Sequence, residues 1–122
     1  MKRLLPEGML RGVSSCQDLM RCAYNLSDFE LEVYKRLSQT GPVRADDLAK
    51  LLGKERSTVY RALQKMMSCG MCYRETRALE RGGYYHVYAA VDRTELKRML
   101  EQCVENWHEK MKQALGRFGE GF

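Results

Sequence analysis

Arg56-Ser57-Thr58-Val59-Tyr60-Arg61-Ala62-Leu63-Gln64-Lys65-Met66-Met67-Ser68-Cys69-Gly70 decides the fold of this chain. Val59, Leu63 and Met66 recur at i, i+4 and i+7, the stripe of a helix with one buried face. Opposite them stand Ser57, Tyr60, Arg61, Gln64 and Lys65, all hydrogen-bond donors or cations and none acidic. Immediately upstream, residues 45–52 form a shorter helical pattern, with Asp46 and Asp47 in the first turn where the helix dipole favours anions. Leu48, Leu51 and Leu52 are expected to face inward there, and Gly53 to provide a left-handed exit. Two short helices joined by a tight turn containing glycine are a helix-turn-helix pattern.

Working outward, Ser27-Asp28-Phe29-Glu30 is a capping box, with Leu26 and Leu31 placed as a hydrophobic staple. Phe29, Val33, Tyr34 and Leu37 continue it as an apolar stripe that Gly41-Pro42 stops. Before it, Ser14 or Ser15 is placed to cap a short helix carrying Cys16, Leu19, Met20 and Ala23, and residues 1–13 read as a loose arm. Downstream, residues 71–76 and 84–88 are rich in aromatic and β-branched residues, and Arg81-Gly82-Gly83 lies between them. A hairpin directly after a helix-turn-helix is a wing. Asp92-Arg93-Thr94-Glu95 then caps a helix running to Leu115, roughly 36 Å at ~1.5 Å per residue. The expected class is α+β, mostly α: a winged helix-turn-helix over residues 14–91, with an added N-terminal helix and a long C-terminal dimerisation helix over 92–122.

A chain of 122 residues, 44% hydrophobic and 30% charged, is one ordinary globular domain. No apolar run approaches the roughly 18 residues of a membrane span, and Lys2-Arg3-Leu4-Leu5-Pro6 is too short for a signal peptide. The formal charge of +5 is unevenly spread, with 7 basic and 3 acidic side chains in residues 54–91. A positive field concentrated on one short stretch points to a polyanion partner. Catalysis is not expected: there is no Gly-rich phosphate loop, no Gly-x-Ser-x-Gly and no His-Glu-x-x-His. His86 and His108 read as packing or surface residues, and no cofactor is implied.

The expected partner is double-stranded DNA. A major groove admits one α-helix, and Arg, Lys and Gln read base edges while Tyr and Ser also reach phosphates. On the helix at about 56–69, Ser57, Tyr60, Arg61, Gln64 and Lys65 are the candidate contacts, with Arg56, Thr58 and Arg44 placed to clasp phosphates. On the wing, spanning about residues 71–89, Arg77 and Arg81 flank a thin tip suited to the flanking backbone or minor groove.

Leu26 through Tyr34, Gly41-Pro42-Val43, Asp47-Leu48-Ala49, residues 56–63 and Gly82-Gly83-Tyr84-Tyr85 together resemble the TrmB-type archaeal transcriptional regulators. The resemblance covers the chain from Leu19 to the last helix, and residues 56–63 are its most specific piece. It implies a winged-helix DNA-binding protein, usually dimeric, that represses or activates transcription. Many larger members carry a C-terminal sugar-binding domain. This chain ends before one would begin, so carbohydrate sensing is not expected of it. Glu55 stands where relatives tend to have a better helix cap such as Ser.

Leu96, Leu100, Cys103, Trp107 and Met111, with Met99, Val104 and Leu115, make an apolar stripe too long for so small a domain. It is expected to pair two chains, burying Trp107. Five cysteines, an odd count, fit a reducing cytoplasm rather than structural disulfides. Cys69-Gly70-Met71-Cys72 has a C-x-x-C spacing but no second pair with metal-ligand spacing, so no metal site is expected. A thiol switch using Cys69 with Cys72, or Cys22 toward a second chain, is one alternative. A winged helix used for contact within the transcription machinery is another.

Overall fold

The computed structural model describes residues 16–120; the arm at 1–13 and the caps at Ser14 or Ser15 lie outside the described residues. Helix α1 spans Cys16–Tyr24, α2 Asp28–Thr40, α3 Ala45–Leu52 and α4 Arg56–Ser68. Strands β1 (Cys72–Ala78) and β2 (Tyr84–Ala90) follow, and α5 runs over Arg93–Gly116. This is the mostly helical winged helix-turn-helix that the sequence patterns call for.

Local chemistry sets the boundaries. The Ser27 hydroxyl accepts the Glu30 amide at 3.1 Å while the Glu30 carboxylate accepts the Ser27 amide at 2.8 Å, a complete capping box. Asp92 caps α5 by accepting the Glu95 amide at 2.8 Å. Glu55 makes no such bond, so α4 starts without a side-chain cap. Gly53 leaves α3 at φ 65° and ψ 35°, a left-handed conformation that glycine enters without a Cβ penalty, and its amide reaches the carbonyls of Ala49 and Lys50.

Packing completes the trihelical unit. Leu37 of α2, Leu48 of α3, and Val59, Leu63 and Met66 of α4 are fully buried against one another's elements, together with Met71. Each such side chain contributes about 1.5–3 kcal/mol when taken wholly out of water. Leu51 departs from expectation and is half exposed. The inward stripe of α3 is Ala45, Leu48 and Ala49 with Leu52 beside them, and Leu51 falls to the flank of that stripe.

The two strands pair antiparallel from Cys72 opposite Ala90 to Ala78 opposite Tyr84. The hairpin is buried at its base and exposed outward: Cys72, Val87, Tyr88 and Ala89 are covered, while the rest of β1 is open. At the tip the Leu79 amide donates to the Gly83 carbonyl at 2.9 Å and the Gly82 amide to Leu79 at 3.1 Å, with Gly82 at φ 92°. The base is tied down by a contact that periodicity did not anticipate. Val43, in the loop before α3, exchanges two backbone hydrogen bonds with Tyr88, at 3.0 and 2.7 Å. The Tyr34 hydroxyl adds a 3.0 Å bond to the Val91 carbonyl, fixing the strand exit to α2.

Helix α5 divides in two. Leu96 and Leu100 join the common core. From Cys103 the helix continues for about 21 Å, with Val104, Trp107, Met111 and Leu115 exposed. No helix among the described residues is long and apolar enough to cross a membrane.

Candidate nucleic-acid interface

The buried stripe of α4 leaves one face outward, and Ser57, Tyr60, Arg61 and Gln64 all lie exposed on it. Thr58 is half-buried at its edge. Lys65, expected among them, is turned elsewhere. Its ammonium donates to the Asn25 carbonyl and to Glu30 Oε1 at 2.9 Å, so it belongs to a contact between α4 and the α1–α2 corner. The physical reason is angular: Lys65 sits on the flank of the outer face, next to the side that packs on α2. Burial pushes the Glu30 carboxyl upward, but hydrogen bonds from the Ser27 amide and Lys65 outweigh it and hold the group below the ordinary carboxylate range.

An open cleft separates the start of α4 from the wing. Arg44, Asp46, Arg56, Tyr60, Arg74 and Tyr85 line it, with Ser57, Tyr84 and His86. Arg44 lies over the Tyr85 ring, 4.0 Å from its centroid, a cation–π contact that orients the guanidinium. Arg56 Nε is 2.9 Å from Asp46 Oδ1, both side chains well exposed, so water screens the pair and leaves it easily exchanged for another anion. Arg44, Arg56, Ser57 and Tyr60 therefore share one concavity. Arg74, Tyr84, Tyr85 and His86 were not anticipated. Tyr84 and Tyr85 stood in the Gly82-Gly83-Tyr84-Tyr85 run, but only the stacking of Arg44 on the Tyr85 ring shows that Tyr85 faces the helix-turn-helix side.

Further out, Arg77 pairs with Glu75 at 3.3 Å on the open strand, and Arg81 is exposed at the tip. His86 Nδ1 lies 3.1 Å from Thr76 Oγ1 on the neighbouring strand, a surface cross-strand pair as its sequence context indicated.

The cysteines form no dithiol centre among the described residues. Cys72 is buried, its thiol donates to the Leu63 carbonyl at 3.7 Å, and burial, with the neighbouring Cys69 thiol, pushes its pKa up to about 12. A thiol so held favours the neutral form over the thiolate that exchange chemistry requires, and Cys72 sits in the core cluster. Cys69 and Cys103 are half-buried free thiols. The side chain of Cys22 lies outside the described residues. No group of His, Cys, Asp and Glu that could hold a metal occurs among the described residues.

On α5, Leu96 and Leu100 are consumed by the domain's own core, so the first two turns of the expected dimer stripe are not available for a partner. Cys103 is half-buried, while Trp107 is 53% exposed and Leu115 70%.

A helix-turn-helix whose second helix offers a polar, acid-free face beside a basic hairpin is a winged-helix DNA-binding domain. Residues 20–94 match the family described as sugar-specific transcriptional regulator TrmB. The chain belongs to the TrmB family of DNA-binding transcription regulators. Two uncharacterized proteins of Methanocaldococcus jannaschii are similar to it. One is 34% identical over 94 residues, covering 77% of this chain and 71% of the relative. The other is 33% identical over 104 residues, covering 85% and 86%. Among solved structures, a possible transcriptional regulator from Methanosarcina mazei superposes with a TM-score of 0.74 at 25% identity, covering 85% of this chain and 88% of that one. The ST1889 protein of Sulfolobus tokodaii shares the fold, with a TM-score of 0.63 at 18% identity over 78% of this chain and 93% of that one. Family and fold are those of a transcription regulator, a class that is not normally enzymatic.

Proposed function

We propose that this protein is a homodimeric, sequence-specific regulator whose helix α4 enters the major groove while the wing rests on the flanking backbone or minor groove. The observation that carries the reading is the outward face of α4: Ser57, Tyr60, Arg61 and Gln64 stand exposed together, with no acidic group among them. Arg61 and Gln64 have the donor geometry that reads base edges. Ser57, Tyr60 and the Arg44–Arg56–Arg74 cleft take phosphates, and Arg77 and Arg81 carry the wing's contact. By occupying promoter DNA the protein blocks or recruits polymerase, and a cytoplasmic location goes with that role.

The dimer is the part of this reading supported by α5. An apolar stripe of Val104, Trp107, Met111 and Leu115 stands exposed along α5 beyond the turns that the domain's own core takes up. The outer face of the same helix carries Glu101, Glu105, Glu109, Lys110 and Lys112, with little net charge to repel a second copy. A two-fold pair would present two α4 helices to half-sites about 34 Å apart or a multiple of it.

Selection of duplexes from random DNA, followed by titration at several salt concentrations, tests the whole reading. The expected result is an enriched site and a log affinity falling with log salt by about 0.9 per neutralised phosphate. Affinity for protein partners with no salt-steep DNA binding would instead make the wing a protein-contact module. A sedimentation mass of one chain at micromolar protein would remove the dimer.

A further inference from the structure

Lys65 stands one turn after Arg61 on α4, and its ammonium is turned back onto the molecule. It donates to the carbonyl of Asn25 and to Glu30 Oε1, 2.9 Å away. The side chains of Lys65 and Glu30 are 35% and 15% exposed, so the pair is partly shielded from the water and salt that weaken surface ion pairs. The acceptors are themselves fixed. Asn25 closes α1 in a left-handed conformation, φ 53°. Glu30 Oε1 also receives the Ser27 amide at 2.8 Å, so one carboxylate oxygen both caps α2 and anchors α4. Leu26, between these residues, is buried in the core, and α1 packs against α5 as well as α2. A lysine has three N–H donors and a compact charge, which suits it to a carbonyl and a carboxylate at once. Moving it to a DNA phosphate would strip Glu30 of its counter-charge in a partly shielded place.

We infer that Lys65 is a positioning residue: with Glu30 and the Asn25 carbonyl it locks the recognition helix to the α1–α2 corner, and through α1 to α5, without itself touching DNA. This rests on α4 being the DNA-reading helix. Its effect is on fidelity rather than on total charge contact. When the lock is intact, Arg61 and Gln64 are held at a fixed angle to the wing and to α5. When it is released, α4 can rock on its buried stripe, and the base-reading contacts lose more than the phosphate contacts do.

The test uses full-length chain, a duplex enriched by selection from random DNA, and a mixed-sequence duplex, each titrated across a salt series. Variants are Lys65→Met, Glu30→Gln, both together, and Lys65→Arg. Glutamine keeps the acceptor that a capping box needs, so Glu30→Gln leaves the start of α2 intact, and thermal melts monitored by circular dichroism verify that every variant is folded at the assay temperature. Lys65→Met and Glu30→Gln should each weaken binding to the enriched duplex by about 2- to 30-fold, with a smaller loss on mixed DNA and an unchanged salt slope. The double variant should be no worse than either single one, and Lys65→Arg should bind within about twofold of the parent, since it retains charge and donors.

The opposite result is equally clear. If Lys65 contacts a phosphate, Glu30→Gln frees it and tightens binding, while Lys65→Met lowers the salt slope by about 0.9. Either outcome overturns the inference, and so does parental behaviour of both single variants. An unmutated chain that shows neither salt-steep binding nor an enriched site fails at the level of the proposed function and takes the lock's role in DNA reading with it.

Discussion

Helices α4 and α5 are both amphipathic, yet they leave opposite faces unsatisfied. In α4 the apolar stripe of Val59, Leu63 and Met66 is wholly buried within the chain, and what faces water is polar and cationic. In α5 the apolar stripe is buried only through Leu96 and Leu100, and what faces water from Val104 onward includes Trp107, Met111 and Leu115. A helix whose greasy side is complete has only hydrogen bonds and charge to offer a partner. One whose greasy side is incomplete offers area. The two helices are therefore suited to two different partners, a polyanion and a second apolar helix.

That contrast can be broken most severely in α4. Leu63→Ala opens a cavity in a fully buried site and should cost about 2–5 kcal/mol, read from denaturant melts; a loss under 1 kcal/mol would mean that α4 is not seated as described. Trp107→Ala should leave the domain fold within about 0.5 kcal/mol but raise the dimer dissociation constant more than about tenfold. Trp107 is the only tryptophan in the sequence, so its emission should report the same event, blue-shifted in concentrated protein and red-shifted on dilution. Emission that ignores concentration counts against pairing through α5.

A smaller effect separates the two kinds of DNA contact. Arg61→Ala should cost about 1–3 kcal/mol on the enriched duplex and relax its base preference, whereas Arg81→Ala should weaken all sequences alike and lower the salt slope by about 1. Equal losses on enriched and mixed DNA for Arg61→Ala would contradict base reading. The smallest effect is on pH. The Glu30 carboxyl is held below its ordinary value of 4.5 in the folded chain. Its contribution to stability is therefore complete above about pH 4.5 and disappears as pH falls through the depressed folded value. Glu30→Gln should flatten that acid limb in thermal melts, leaving the neutral-pH side unchanged in shape.

Much of this was written in local patterns. The capping box at Ser27 and Glu30, the Gly53 exit and the Asp92 cap depend on residues within four positions of one another, and each appears with its expected bonds. What periodicity misplaced lay at the edges of helical faces or across long separations. Leu51 and Lys65 both sit on a flank, where one residue's rotation decides between core and solvent, and Lys65 found a partner thirty-five positions away. The Val43–Tyr88 bridge likewise joins distant segments, and a single residue has no strand period to betray it. Cys69 and Cys72 are near in sequence, but the strand start turns one inward while the other stays at the helix end.

The paired backbone bonds between Val43 and Tyr88 make the hairpin a cantilever. Its root is riveted to the loop that launches α3, while its far end at Arg81 is held only by the turn. Amide exchange should accordingly slow at Tyr88 and quicken toward Gly82, and a duplex of unusual groove width would be met by flexing of the outer strands, with the reading head left undisturbed.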